Sequence, residues 1–310
     1  MVPSLMLFSL VTAAGLTASA HGRAAAPRPP PAAFSSAAAW PHCAAILGDV
    51  QDTSHCGCSW AAAVADAAAA QLCIATLGRV LVPLSTQDIC FNAKAYHSEG
   101  CDGGNLFDGW KWVHDGVVTG GNYGGAGPLG GGWCSAYTKP SCRHHDQGEP
   151  GPSLPDCGSL NVTSSPGPTA CDAGAKAPHN QYANDKYRFN GTALPQGTFI
   201  KQLQDEADIQ AALVARGPVT TSINIFENFF DYRSGVLQTE SGENLGGLAV
   251  SIVGWGEDAQ GVKYWRCKNT WNAFWGEQGF FRVLRGENYG GMESGAYTTP
   301  DDVAFSGPGV

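Results

Sequence analysis

From Ala61 to Cys73 the chain reads Ala-Ala-Ala-Val-Ala-Asp-Ala-Ala-Ala-Ala-Gln-Leu-Cys, with one charge and neither glycine nor proline. Alanine is the strongest helix former, so this run predicts a single buried helix beginning near Ser59. Beyond Phe199 the pattern changes. Asp208 to Arg216 has helical spacing, and four short runs rich in β-branched and aromatic residues follow at 219–225, 248–253, 264–268 and 279–284. Bounded by Gly, Asn and Asp, they read as strands of a small sheet or barrel. Between Gly116 and Pro178 glycine and proline are dense, which predicts short elements and long loops of the kind that carry function. A helical first half and a β-rich second half predict an α+β protein with a cleft between two lobes.

The 310 residues suffice for two compact units sharing an interface. A formal charge of −9 without clustered Lys or Arg argues against nucleic acid or an anionic membrane as the main partner. The apolar run Leu5 to Leu16, followed by Ala18-Ser19-Ala20, reads as a cleaved secretory signal over residues 1–20. No later run is long enough to span a bilayer, which needs roughly 20 residues. Residues 21–39 are rich in Ala and Pro and poor in large apolar side chains, so they are expected to form a flexible lead-in. Eleven cysteines fit an oxidising lumen, secretory or endolysosomal. Asn161-Val162-Thr163 and Asn190-Gly191-Thr192 are glycosylation acceptor sequences in loop-like stretches.

Several motifs, in order along the chain, carry a resemblance. Cys56-Gly57-Cys58-Ser59-Trp60 resembles the Cys-Gly-Ser-Cys-Trp of papain-family cysteine peptidases with its last Ser and Cys exchanged. Trp40-Pro41-His42-Cys43, Gly100-Cys101-Asp102-Gly103-Gly104, Asn269-Thr270-Trp271 and Trp275-Gly276 resemble further segments of the cathepsin B-like branch. Cys142-Arg143-His144-His145, closed by Cys157, resembles that branch's occluding loop. The resemblance implies a papain-like domain over residues 40–300, with a helical left lobe at 40–125, a β-barrel-like right lobe at 126–300 and a tail at 301–310. It also implies the disulfides Cys43–Cys73, Cys56–Cys101 and Cys142–Cys157. Cys171 then pairs with Cys90 or Cys134, spacing slightly favouring Cys90, and Cys58, Cys267 and one of that trio are left over.

A papain-type site needs a thiolate, a histidine, an amide that orients it and donors for the oxyanion. By this resemblance the nucleophile position holds Ser59, the histidine position Leu248, in Gly246-Gly247-Leu248-Ala249, and the oxyanion position Thr53, with Gln51 two residues earlier. The orienting amide, Asn269, is retained. Losing a nucleophile or base in a comparable triad costs on the order of a millionfold, so the expected protein is proteolytically inactive and binds peptides, proteins or protease inhibitors in its cleft. Gly103, Gly104, His144, His145 and Trp271 are the candidate binding residues, and Gly295 stands where the branch carries an acidic S2 residue. The stretch before Trp40 is shorter than the inhibitory propeptide of an active relative. The alternative is a hydrolase, an endo- or carboxydipeptidase, using Ser59 or Cys58 with His144 or His145 as displaced base. A slip from Ser59 to Cys58 would turn the side chain by roughly 100° on the helix. No cofactor or metal is expected, since His55-Cys56-Gly57-Cys58 has no second Cys/His pair to complete four ligands.

Overall fold

The computed structural model describes residues 29–96, 98–145, 153–194 and 197–310. The signal sequence expected at 1–20 lies outside them. The alanine run forms the central helix, Ser59–Ala75. Its alanines at 61–63, 65 and 67–70 are all at most 2% exposed, so the helix has no solvent face and needs no amphipathic stripe. Small side chains on every side let neighbours approach closely: a Cβ on Gly109 of the helix Leu106–Asp115 would lie 3.0 Å from Val64 Cγ2. The helix Thr86–Asn92, N-capped by Ser85 through the Asp88 amide, packs on its other flank.

The second half builds a sheet. In chain order its strands are β1 Phe34–Ser35, β3 Lys201–Leu203, β4 Val219–Phe226, β5 Val236–Leu237, β6 Asn244–Glu257, β7 Lys263–Lys268, β8 Phe280–Leu284 and β9 Ala296–Thr298, while β2 Arg188–Asn190 and β10 Ala304–Ser306 form a separate ribbon. The main order is β3-β9-β4-β6-β7-β8-β5, with β1 added to β6. It is an open sheet, and no closed barrel exists among the described residues, which corrects the barrel-like expectation. The fold class is α+β as expected. The helix Glu206–Arg216, N-capped by Asp205, precedes β4.

Two apolar cores exist, one around the central helix and one on the sheet around Trp265, Trp275 and Phe281. They do not divide the chain at 125/126. Tyr137, Tyr187, Phe189 and Ile200 all belong to the helical core, because Val117 and Tyr187 exchange backbone hydrogen bonds of 2.9 and 2.8 Å and anchor the long loop region there. The lead-in is also corrected over its described part. Phe34 stacks on Trp255 at 5.0 Å, and the Trp255 indole donates to Pro31 O at 3.0 Å. The tail at 301–310 docks likewise: β10 pairs with β2 and the Tyr187 hydroxyl donates to Pro308 O. Each segment carries a single phenylalanine, Phe34 or Phe305, whose ring contacts its low overall hydrophobicity hides.

Polar contacts join the cores. Trp110 Nε1 donates to Thr220 Oγ1 at 2.8 Å, Gln71 Nε2 to Pro218 O at 2.7 Å, and Ser251 Oγ to Ala63 O at 3.2 Å. Lys268 on β7 meets Asp66 of the central helix at 2.5 Å. These buried contacts fix the central helix and the helix Leu106–Asp115 against the sheet.

Disulfides link Cys43–Cys73, Cys56–Cys101, Cys142–Cys157, Cys58–Cys90 and Cys134–Cys171. The last two correct the sequence reading, which paired Cys171 preferentially with Cys90 and left Cys58 as a thiol. Cys58 precedes the central helix, and the packing of helix Thr86–Asn92 brings Cys90 to a Cα separation of 5.8 Å. The Asp172 amide donates to Cys134 O at 2.7 Å, laying Cys171 beside Cys134 at a Cα separation of 4.4 Å. Cys267 alone is free, buried on β7.

Candidate active-site cleft

Ser59 opens the central helix at the junction of the two cores, half-buried, with the positive end of the helix dipole behind it. Two cavities flank it. One, of about 690 Å³, is lined by Gly103, Gly104, Phe107, Ala249, Gly295 and Tyr297; the other, of about 670 Å³, by Thr53, Arg143, His144, His145, Leu248 and Trp271. Both touch Ser59, Gly57, Cys101 and Gly247. The sequence-predicted binding residues therefore do converge, on two sides of Ser59.

The first cavity is shaped by backbone. Gly103 has φ +115°, a conformation that favours glycine, and nothing lies within 4 Å of its would-be Cβ. At Gly104 a Cβ would meet Trp60 Cε2 at 2.4 Å. The Cys56–Cys101 bond and a 2.8 Å hydrogen bond from the Gly57 amide to Cys101 O fix this turn beside the helix start.

At Ser59 itself the Ala249 amide donates to Oγ at 3.3 Å. Leu248 faces the same space, 6% exposed, and packs into the sheet core opposite Ile223. Its side chain carries no ionisable atom. Among the described residues no histidine nitrogen is within hydrogen-bond reach of Ser59 Oγ. Asn269 is 1% exposed and lines neither cavity; its Oδ1 accepts from the Thr270 amide at 2.8 Å. Thr53 Oγ1 donates to Thr270 O at 3.2 Å, and Gln51, whose Oε1 accepts from Thr86 Oγ1, lines neither cavity beside Ser59.

The second cavity is shaped by side chains, and its keystone is a residue the sequence reading passed over. Asp52, buried, receives His144 Nε2 at 2.7 Å, the Cys142 amide at 3.0 Å, Asn272 Nδ2 at 2.9 Å and the Ser54 amide at 2.8 Å. Burial alone would push its carboxyl up, but the hydrogen bond and charge of His144, with Asn272 and Ser54, hold it below the usual carboxylate range. His144 lies parallel to Trp271 with centroids 5.7 Å apart. His145 stacks on Phe230 at 3.7 Å; burial, then the neighbouring His144, pulls its pKa below the ordinary histidine value against Asp156 and Asp231. Trp271 lines the cavity, whereas Trp275 is a 1% exposed core residue. The separation of 92 residues between Asp52 and His144 hides their partnership from any local pattern.

The sulfur chemistry is closed. Cys58 is fully buried and disulfide-bonded, which removes it as a candidate nucleophile because a disulfide sulfur is no thiolate. Burial pushes the Cys267 thiol far above its usual range. The sulfurs of Cys56, Cys58 and Cys101, and those of Cys142 and Cys157 beside His144, lie close enough to share an ion, but every one of them is in a disulfide.

Fold and cleft together define a two-lobed, papain-like architecture. The family described as papain family cysteine protease matches residues 35–299, and the chain belongs to that family. Among curated relatives it is similar to cathepsin B-like cysteine proteinase 4 of Caenorhabditis elegans, 36% identical over 85% of this chain and 73% of the relative. It is also similar to the cathepsin B-like cysteine proteinase of Schistosoma japonicum, 32% identical over 85% and 71%. Among solved structures, procathepsin B S9 from Trypanosoma congolense superposes with a TM-score of 0.64 at 26% identity, covering 88% of this chain and 78% of that one. Digestive procathepsin L 3 of Tenebrio molitor shares the fold, with a TM-score of 0.55 at 22% identity over 89% and 72%.

Proposed function

We propose that this chain is a cathepsin B-like pseudopeptidase, which receives an extended peptide or a protein segment in its cleft without hydrolysing it. The observation that carries the reading is the pairing at Ser59: its hydroxyl takes a hydrogen bond from the Ala249 amide, and the adjoining side chain is Leu248. A serine hydroxyl without a base is a poor nucleophile. Thr53 and Gln51 supply no side-chain donor for an oxyanion, and His144 is held by Asp52. The glycine-lined cavity keeps the open backbone at Gly103 that suits strand-like peptide binding. Gly295 itself brings no acidic side chain to that cavity, whose one acidic lining residue is the exposed Asp102.

The readout is a paired assay of purified protein with a vinyl-sulfone thiol probe, a fluorophosphonate serine probe and fluorogenic dipeptides. Neither label nor turnover is expected, while calorimetry with a peptide library or a cystatin-like inhibitor shows saturable binding. Fluorophosphonate labelling at Ser59, with turnover abolished in Ser59→Ala, would replace this reading by the displaced-base hydrolase. The observation favouring that second reading is that His145 borders the same cavity as Ser59. The proposed compartment is the secretory or endolysosomal lumen, supported by five disulfides and by the exposure of Asn161 and Asn190. A mobility shift on glycosidase treatment of protein secreted from eukaryotic cells checks it.

A further inference from the structure

Behind Ser59, between the central helix and the strand β7, lies a small polar cavity of about 10 Å³ bordered by Asp49, Gln51, Asp66, Ser251, Lys268, Asn269 and Thr270. Three atoms of these residues are buried with no hydrogen-bond partner: Asp66 Oδ2, Asn269 Nδ2 and Thr270 Oγ1. Buried polar groups are almost always paired, because an unpaired one gives up its hydrogen bond to water without replacement. Three orphans around one cavity point to a shared ligand.

The surrounding side chains are engaged. Lys268 has three ammonium protons, and they go to Ile46 O at 3.0 Å, Asp49 O at 3.0 Å and Asp66 Oδ1 at 2.5 Å. Ser251 has one hydroxyl proton, within reach of Ala63 O at 3.2 Å and of Asp66; Gln51 Oε1 accepts from the Thr86 hydroxyl and Asp49 Oδ1 from the Asn122 amide. Asn269 Oδ1 accepts from the Thr270 amide at 2.8 Å, which fixes the amide so that its unpartnered end is a donor. The ligand must accept from Asn269 Nδ2 and donate to Asp66 Oδ2. A cation fails the first requirement and sits badly beside the Lys268 ammonium; an anion fails the second. The volume is near the lower limit for one water, roughly 10–15 Å³.

We infer that a single water molecule is bound here, accepting from Asn269, donating to Asp66 and completing its shell with Thr270. Since Asp66 belongs to the helical core and Asn269 and Thr270 follow β7, the water pins the two lobes together directly beneath the cleft floor. It also gives Asn269 a structural role that needs no imidazole. This inference stands apart from the proposed function, and its tests read structure and hydration only.

A crystal structure at atomic resolution is expected to show a density peak about 2.7–3.2 Å from Asp66 Oδ2, Asn269 Nδ2 and Thr270 Oγ1. Oxygen-17 relaxation dispersion of water should count one long-lived molecule fewer in Asn269→Leu, whose side chain fills the cavity, and the wild-type number in Thr270→Val. An empty cavity with Asp66 bonded directly to Thr270 would overturn the inference. So would a peak with five or more oxygens at about 2.3–2.6 Å, the signature of a hard cation. If Asn269→Leu does not fold, the wild-type density decides alone.

Discussion

The two cavities beside Ser59 are nearly equal, about 690 and 670 Å³, but they are held open by different physics. The glycine side is a backbone surface, fixed by the Cys56–Cys101 bond and by contacts that admit no Cβ at Gly104. The histidine side is a side-chain surface whose loop, closed on itself by the Cys142–Cys157 bond, docks on the body through the Asp52 carboxylate, the Asn272 amide and a stack of rings on Trp271. A turn joined to the helix start by a disulfide keeps its place at any pH, whereas docking through an ionised group responds to whatever changes that group. The two halves of one cleft therefore differ in adjustability.

The largest test of this contrast is Asp52→Ala. It leaves His144, Asn272 Nδ2 and two backbone amides without their acceptor, so a loss of about 3–5 kcal/mol is expected in denaturant unfolding. Hydrogen exchange should rise at 141–145 and not at 100–104; a uniform rise would erase the distinction between the two sides. Next in size, Gly104→Val drives a side chain into Trp60 and is expected to cost about 1–3 kcal/mol, with peptide affinity lost on that side. Binding of ligands that occupy only the histidine side should survive.

Acid sharpens the comparison further. The Asp52 carboxyl titrates lower in the folded protein than in the unfolded chain, so its stabilisation is complete above the unfolded value of about 3.9 and is lost as pH falls through the folded one. Protection factors at 141–145, exchange rates divided into their intrinsic values at each pH, should therefore stay flat from pH 6 to about pH 4 and then fall towards pH 3; a fall already at pH 5 would mean that another group holds the loop. The smallest effect is expected at the centre. Ser59→Ala removes one long, part-buried hydrogen bond and no charge, and should change peptide affinity by less than about 1 kcal/mol. A large loss would show that Ser59 anchors the ligand.

The helix Ser59–Ala75 and the strands around 219–225, 248–253, 264–268 and 279–284 were legible because their patterns are local: an alanine run without breakers, and β-branched clusters between Gly and Asn. Gly103, Gly104, His144, His145 and Trp271 were legible as cleft residues through motif resemblance, and they do line the two cavities. Asp52, the Cys58–Cys90 bond and the docking of Phe34 on Trp255 were not. Each depends on a pairing between distant segments, and isolated residues in loops carry no periodicity from which the partner could be read.

By itself, then, the sequence determined which side chains are available: a hydroxyl at 59, a leucine at 248, an amide at 269, and too few local acids or bases to replace them. Chemical identity is a property of single residues, so no folding is needed to know it. Only the tertiary structure decided what those groups do, because burial, hydrogen-bond direction and partner choice are relations between segments. It turned Asn269 towards a polar cavity away from the cleft, gave His144 to Asp52, closed Cys58 against Cys90, and left Ser59 facing an amide and a leucine.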